Sequence, residues 1–213
     1  MTAEDTAGPG SPDGEEGHPA ARLPLLGADD VPEGEPNVIR RFEDDAREAP
    51  HVYRVLAGAP RLADLFRTVG VTLRENSAVD ARLRELAVLT VSRTAGADYE
   101  FAHHVPIAQR AGVRPEQIER LDEFEGDPAF DAVERAVMRY ARECTTDVDV
   151  GDETWAALTA SLLSGREALE IVLHVAWYNA SARITGPLRV ELEDAYRRPT
   201  PPPLPAERRS SRC

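Results

Sequence analysis

A chain of 213 residues, 42% hydrophobic and 30% charged, has the composition of one soluble globular domain with tails. Its net charge of -13 argues against nucleic acid and anionic membranes as partners, since both are bound through basic patches; no apolar run approaches the roughly 18 residues of a membrane span. Every basic residue is arginine, which excludes a Schiff-base lysine and leaves guanidinium as the only permanent cation for holding a carboxylate.

The acidic start Met1-Thr2-Ala3-Glu4-Asp5 lacks a secretory pattern, so a cytoplasmic location is expected, and Cys144 and Cys213 are too few and too far apart in character to suggest a structural disulfide. Residues 1–36, rich in Gly, Pro, Asp and Glu, read as a disordered acidic tail. Residues 37–198 read as one all-α domain, because apolar residues recur at three and four while alternating strand patterns are missing. Residues 199–213, with five prolines before Arg208-Arg209, read as an extended tail.

Within the domain, Pro60 opens a helix carrying Leu62, Leu65, Phe66, Val69 and Leu73. Asp80 caps the next, with Leu83, Leu86, Ala87 and Val91, and Gly96 stops it. Asp98 caps a third that holds Pro106 in its interior, where a lost hydrogen bond to Ala102 should bend it, and Gly112 ends it. A short helix from Pro115 through Phe124, a longer one from about Ala129 to Thr145 and one from Asp152 through Leu163 follow. The last, Gly165 to about Ile184, is apolar on nearly all sides, which predicts a central position or a subunit interface.

The third helix concentrates the chemistry in Tyr99-Glu100-Phe101-Ala102-His103-His104. Side chains at i and i+4 share a helix face, so Glu100 and His104 form one ridge and Tyr99 and His103 the next. A carboxylate beside an imidazole suits proton transfer near neutrality, although such pairs are also common on solvated helix faces. Glu100 with His103, and Glu170 with His174, have spacings seen in bundle metal sites, but further inward carboxylates are lacking; His174 reads better as a hydrogen-bonded core residue and Cys144 as a small core side chain. Arg82 and Arg84 flank Glu85 and are candidates for a substrate-carboxylate clamp, or simply a solvated face.

The run Arg84-Glu85-Leu86-Ala87-Val88-Leu89, then Gly96-Ala97-Asp98-Tyr99-Glu100-Phe101-Ala102-His103-His104-Val105-Pro106-Ile107-Ala108 and Ala111-Gly112, resembles the carboxymuconolactone decarboxylase family, related to the alkylhydroperoxidase D family. The resemblance spans roughly residues 50–195, since Glu170-Ile171-Val172 and Trp177-Tyr178-Asn179 look like the family's final helix. It implies an all-helical, alkylhydroperoxidase D-like bundle that forms homotrimers or homohexamers, with the active site near a subunit interface. The peroxidase branch places a C-x-x-C pair where this chain has Ala97 and Glu100, and neither residue supports thiol-disulfide chemistry. The decarboxylase branch carries the E-x-x-x-H pattern of Glu100 and His104, and Glu85 corresponds to a glutamate of the peroxidase branch's proton relay. The resemblance thus implies an enzyme without cofactor or metal, a lyase acting on a small organic acid or lactone. In it His104 is the acid, Glu100 its partner, and Glu85 sets their protonation. Tyr99 would be an oxyanion donor, with His103 beside it and Trp177 and Tyr178 as substrate contacts. The competing possibilities are a peroxiredoxin-like antioxidant protein and a non-catalytic oligomer of the same fold.

Overall fold

The structure is a computed structural model that describes residues 21–162 and 164–197. Among those residues the regular structure is helical, without strands: α1 (Val38–Asp44), α2 (His51–Leu56), α3 (Pro60–Glu75), α4 (Ala81–Ala95), α5 (Asp98–Arg110), α6 (Pro115–Glu119), α7 (Ala132–Asp147), α8 (Asp152–Ser161) and α9 (Gly165–Leu188).

The bundle is organised around α4, where every residue from Glu85 to Ser92 is buried. One side of α4 packs Ala87, Val88 and Val91 against Val137 and Tyr140 of α7 and Ile171 and Val175 of α9. Its other side packs Leu86 and Leu89 against Ala108 of α5 and Phe124, Phe130 and Met138. A fully buried Leu or Val contributes roughly 1.5–3 kcal/mol, so this helix carries a large share of the apolar stabilisation. The hydroxyls of Thr90 and Ser92 satisfy themselves by donating to the carbonyls of Leu86 (2.7 Å) and Val88 (2.8 Å) one turn back. Glu85 has no such internal solution and must find a partner on another helix.

Both ends of α4 follow the sequence. The Asp80 side chain accepts from the Arg82 N–H at 2.8 Å, and Gly96 adopts φ 64°, ψ 35°, the left-handed cap that a side chain disfavours. That tight turn folds α5 back along α4. Helix α5 continues through Pro106, and α9 through Pro187, beyond the end expected at Ile184. At α7, Asp131 and Glu134 form reciprocal capping bonds, each 2.8 Å.

Two expectations change. Residues 21–36 are ordered: Ala28 and Val31 are buried against Val38, Ile39, Phe42 and Ala63, and Asn37 ties this segment to α1 by donating to the Ala28 carbonyl at 2.7 Å. A few apolar side chains clustered at one end of an otherwise polar stretch suffice when a groove receives them, which an average over 36 residues conceals. The proposed tails 1–20 and 199–213, and Cys213 with them, lie outside the described residues. The apolar pattern of α3 is also only partly used: Ala63 and Gly70 face inward, whereas Leu62 (66%), Leu65 (59%) and Val69 stay exposed, as do Leu169 and Leu173 (47%) on α9.

His174 behaves as a core residue. It is 2% exposed, its Nδ1 donates to the Glu170 carbonyl at 2.7 Å, and its Nε2 is buried without a partner among the described residues. The Glu170 carboxylate meanwhile accepts from Ser77 Oγ, the Ala78 N–H and Arg166, so the pair is not arranged as metal ligands. Burial holds the His174 pKa below the ordinary 6.5.

Two measurements follow from this packing. Val148, exposed beyond the end of α7, sits at φ 68°, where a β-branched residue is strained by about 1–2 kcal/mol. Val148→Gly is expected to raise the melting temperature by about 2–4 °C in calorimetry. Because folded His174 resists a proton that the unfolded chain binds, its stabilising contribution is complete above pH 6.5 and is lost as pH falls below it, by up to ~1.4 kcal/mol per pH unit. Urea unfolding between pH 7.5 and 5.5 should show a flatter pH dependence in His174→Asn than in the wild type.

Candidate active site

The turn at Gly96 brings Glu85, eleven residues before it, opposite His104, eight residues after it. Both side chains are buried, and His104 Nδ1 donates to Glu85 Oε2 at 2.7 Å. With Nδ1 held by the carboxylate, Nε2 is the ring nitrogen outside that pair. The ring stands edge-on to Tyr178 of α9, centroids 4.7 Å apart and planes at 80°. Burial pushes the Tyr178 phenol up, the charge of Glu85 adds to it and Arg74 opposes it, so Tyr178 remains a neutral donor.

Glu100 is also buried but does not hydrogen-bond His104. Its carboxylate accepts from Ser181 Oγ at 2.8 Å and from Thr185 Oγ1 at 2.7 and 2.9 Å, both on α9. The pairing expected along the α5 ridge is therefore replaced by two pairings across helices. Side chains four apart on a helix are neighbours, but each can lean outward, and here α4 and α9 offer closer partners than the ridge does.

Tyr99 and His103 belong to a second cluster organised by Glu193, in the segment after α9. Tyr99 donates its hydroxyl to Glu193 Oε1 at 3.0 Å, His103 Nε2 donates to Oε2 at 2.6 Å, and the His51 N–H of α2 donates to Oε1 at 2.6 Å. The Tyr99 oxygen in turn accepts from the Val52 N–H at 3.1 Å. Tyr196 stacks on His103 with centroids 4.0 Å apart. Burial would raise the Glu193 carboxyl, but these donors outweigh it and bring it down to about 2. Burial and the Glu193 charge both push the Tyr99 phenol up. The expected oxyanion donor is thus committed to fastening the C-terminal segment, because a buried phenol keeps its proton and donates its hydrogen bond to the ionised carboxylate beside it.

The arginine candidates separate too. Arg82 Nη1 donates to the buried carboxylate of Glu134, which also accepts from Gln117 Nε2 at 3.0 Å. Arg82 therefore ties α4 to α6 and α7 instead of facing His104. Arg84 is half-buried on the His174 side of α4. Trp177 packs its ring on Phe66 at 4.5 Å, with Gly70 beneath its indole nitrogen. Of the expected substrate contacts, only Tyr178 touches the imidazole.

A cavity of about 540 Å³ opens between the start of α5 and the end of α9. Ala97, Tyr99 and Glu100 line one side; Thr185, Arg189, Val190 and Leu192 line the other. Its size falls in the range of small-molecule pockets, and its floor carries Glu100, one turn from His104 along α5. Ser181, Thr185, Arg189 and Glu193 escape sequence reasoning: hydroxyl residues on an apolar helix and charges beyond its end carry no local signal. Among the described residues no group of three or more His, Cys, Asp or Glu side chains is placed to hold a metal ion.

Residues 60–143 match the model of the carboxymuconolactone decarboxylase family. No curated protein matches the chain in sequence. Several solved structures share its fold. A cysteine-to-alanine variant of the debrominase Bmp8, bound to 2,3,4-tribromopyrrole, aligns with TM-score 0.70 and 22% identity over 84% of this chain and 96% of that one. A peroxidase-related protein of alkylhydroperoxidase AhpD-core type from Ralstonia eutropha JMP134 aligns with TM-score 0.72 and 20% identity, covering 84% and 95%. An uncharacterized peroxidase-related protein from Silicibacter sp. TM1040 gives 0.70 and 17%, covering 83% and 93%. At these identities the likeness concerns the fold. Residues 60–143 thus match the carboxymuconolactone decarboxylase family model, and the described residues share the all-helical fold of the alkylhydroperoxidase AhpD-core structure.

Proposed function

We propose that the chain is an acid-base enzyme, needing no cofactor, that acts on a small organic acid or lactone by decarboxylation or a related proton transfer. The observation that supports this best is the buried 2.7 Å pair of His104 and Glu85 one turn behind Glu100, which faces the cavity. In decarboxylation the bond to the carboxyl carbon breaks, carbon dioxide leaves, and the electron pair remains as an enolate. The proton that quenches it comes from the Glu100–His104 end of α5, with Glu85 orienting the imidazole and balancing its charge. Tyr178, a neutral donor against the ring, limits the imidazole to one orientation.

A thiol mechanism finds little support in the geometry. Ala97 and Glu100 stand at the cavity where the resemblance would put cysteines, and Cys144 lies near the end of α7, its Sγ 3.9 Å from the Val148 carbonyl and outside the cavity lining. Self-association belongs to the same reading: Leu62, Leu65 and Val69 on α3 and Leu169 and Leu173 on α9 leave apolar stripes on two helices that pack together.

Two experiments test this. Carbon dioxide release or solvent-deuterium incorporation would be followed across a panel of small lactone acids and β-keto acids. His104→Gln and Glu85→Gln, which keep hydrogen-bonding side chains in the buried pair, should each lower the rate at least 10²-fold, and the double variant by little more than either alone. Activity indifferent to His104→Gln would sink the acid-base reading. Light scattering at micromolar concentration should show a trimer or hexamer, and Leu65→Asp with Leu173→Asp should reduce it toward the 23.3 kDa monomer with helicity intact; a monomeric wild type would refute self-association.

A further inference from the structure

The cavity's lining carries two guanidinium groups, and they differ in their engagements. Arg197 is committed: Nη2 donates to Glu191 at 2.9 Å and Nε to the Leu192 carbonyl at 2.8 Å. Arg189 makes no side-chain hydrogen bond or ion pair among the described residues. In a chain of net charge -13 an anion is repelled from most of the surface.

The backbone at Arg189 adds a second observation. It sits just past α9 at φ 52°, ψ 50°, where its N–H bonds the Gly186 carbonyl at 3.0 Å and that of Val190 bonds the Thr185 carbonyl at 3.1 Å. This is the left-handed helix stop that glycine fills without strain, and a long side chain there costs stability. Strained non-glycine positions gather at ligand clamps, where a side chain does something that glycine cannot. What this side chain does is bring a planar, two-pronged cation to a cavity lined both by apolar residues, Ala97, Val190 and Leu192, and by the acidic Asp98, Glu100 and Glu191.

The far side of the cavity is anionic. The hydroxyls of Ser181 and Thr185 both donate to the Glu100 carboxylate. One uncommitted cation in a lining that also carries the carboxylates of Asp98, Glu100 and Glu191 fits a ligand with a single carboxylate and an uncharged remainder. We propose that Arg189 is the specificity-determining residue of this cavity: it orients a small monocarboxylate so that the neutral end points at Glu100, and the same charge arrangement excludes dicarboxylates. This rests on the cavity serving the acid-base site, while its test depends on binding alone.

Six-carbon probes separate the possibilities: hexanoate, adipate and hexanamide, titrated calorimetrically into the full-length protein and into His104→Gln. Hexanoate should bind both proteins alike, and adipate and hexanamide at least tenfold more weakly. Arg189→Gln should weaken hexanoate at least tenfold, and Glu100→Gln should narrow the gap between hexanoate and adipate. Arg189→Gly gives the most telling readout, since glycine suits φ 52°: its melting temperature should rise by about 2–4 °C while hexanoate affinity falls. Affinity unchanged in Arg189→Gln, adipate binding as tightly as hexanoate, or no hexanoate binding at all would overturn the proposal. Hexanoate binding to His104→Gln without turnover by the wild type would leave Arg189 in place and remove the acid-base reading instead.

Discussion

The fold is arranged around a carboxylate that cannot reach water. Glu85 lies at the start of eight consecutive buried residues on α4, and burying an ionised group without a partner costs several kcal/mol. The imidazole of His104 supplies that partner, so the register of α5 against α4 is fixed by a polar requirement as well as by packing. Gly96 then follows as a necessity. A slower turn would carry His104 past Glu85, and only a left-handed residue makes the reversal short enough.

Once α5 is placed, the two faces of its first turns are partitioned. The inner face gives Glu100 to the hydroxyls of α9 and His104 to α4; the neighbouring face gives Tyr99 and His103 to Glu193. The same short helix thus serves a buried carboxylate–imidazole interior and a fastening for the segment that walls the cavity. A network of this kind tolerates little substitution, because most of its donors and acceptors are paired across helices and a loss strands another buried group.

The helical architecture was largely legible, because apolar spacing, Pro60, Asp80, Gly96 and Asp152 act locally and their signals lie within a few residues. The residues proposed for the site on α4 and α5 came from the same local signals, through the resemblance. Their partners were not. Glu100 was read with His104 from spacing on one helix, whereas the structure pairs residues 85 with 104 and 100 with 181 and 185. Arg82 looked like a free cation beside Glu85, but successive helix positions point in different directions, and Glu134 claims it. The order of residues 21–36 was hidden because composition reports an average and packing responds to the placement of single side chains such as Val31.

The Glu193 fastening joins residues 51, 99 and 103 to a position only twenty residues from the end of the 213-residue sequence. The closing of such a long chain loop comes late in folding, since its entropy must be lost before its contacts form. During synthesis, α4 and α5 are made before the segment that walls the cavity. A nascent or C-terminally truncated chain would therefore hold the Glu85–His104 pair inside an open-sided bundle. The order of synthesis keeps the buried Glu85–His104 pair and the finished cavity apart until that segment has been made.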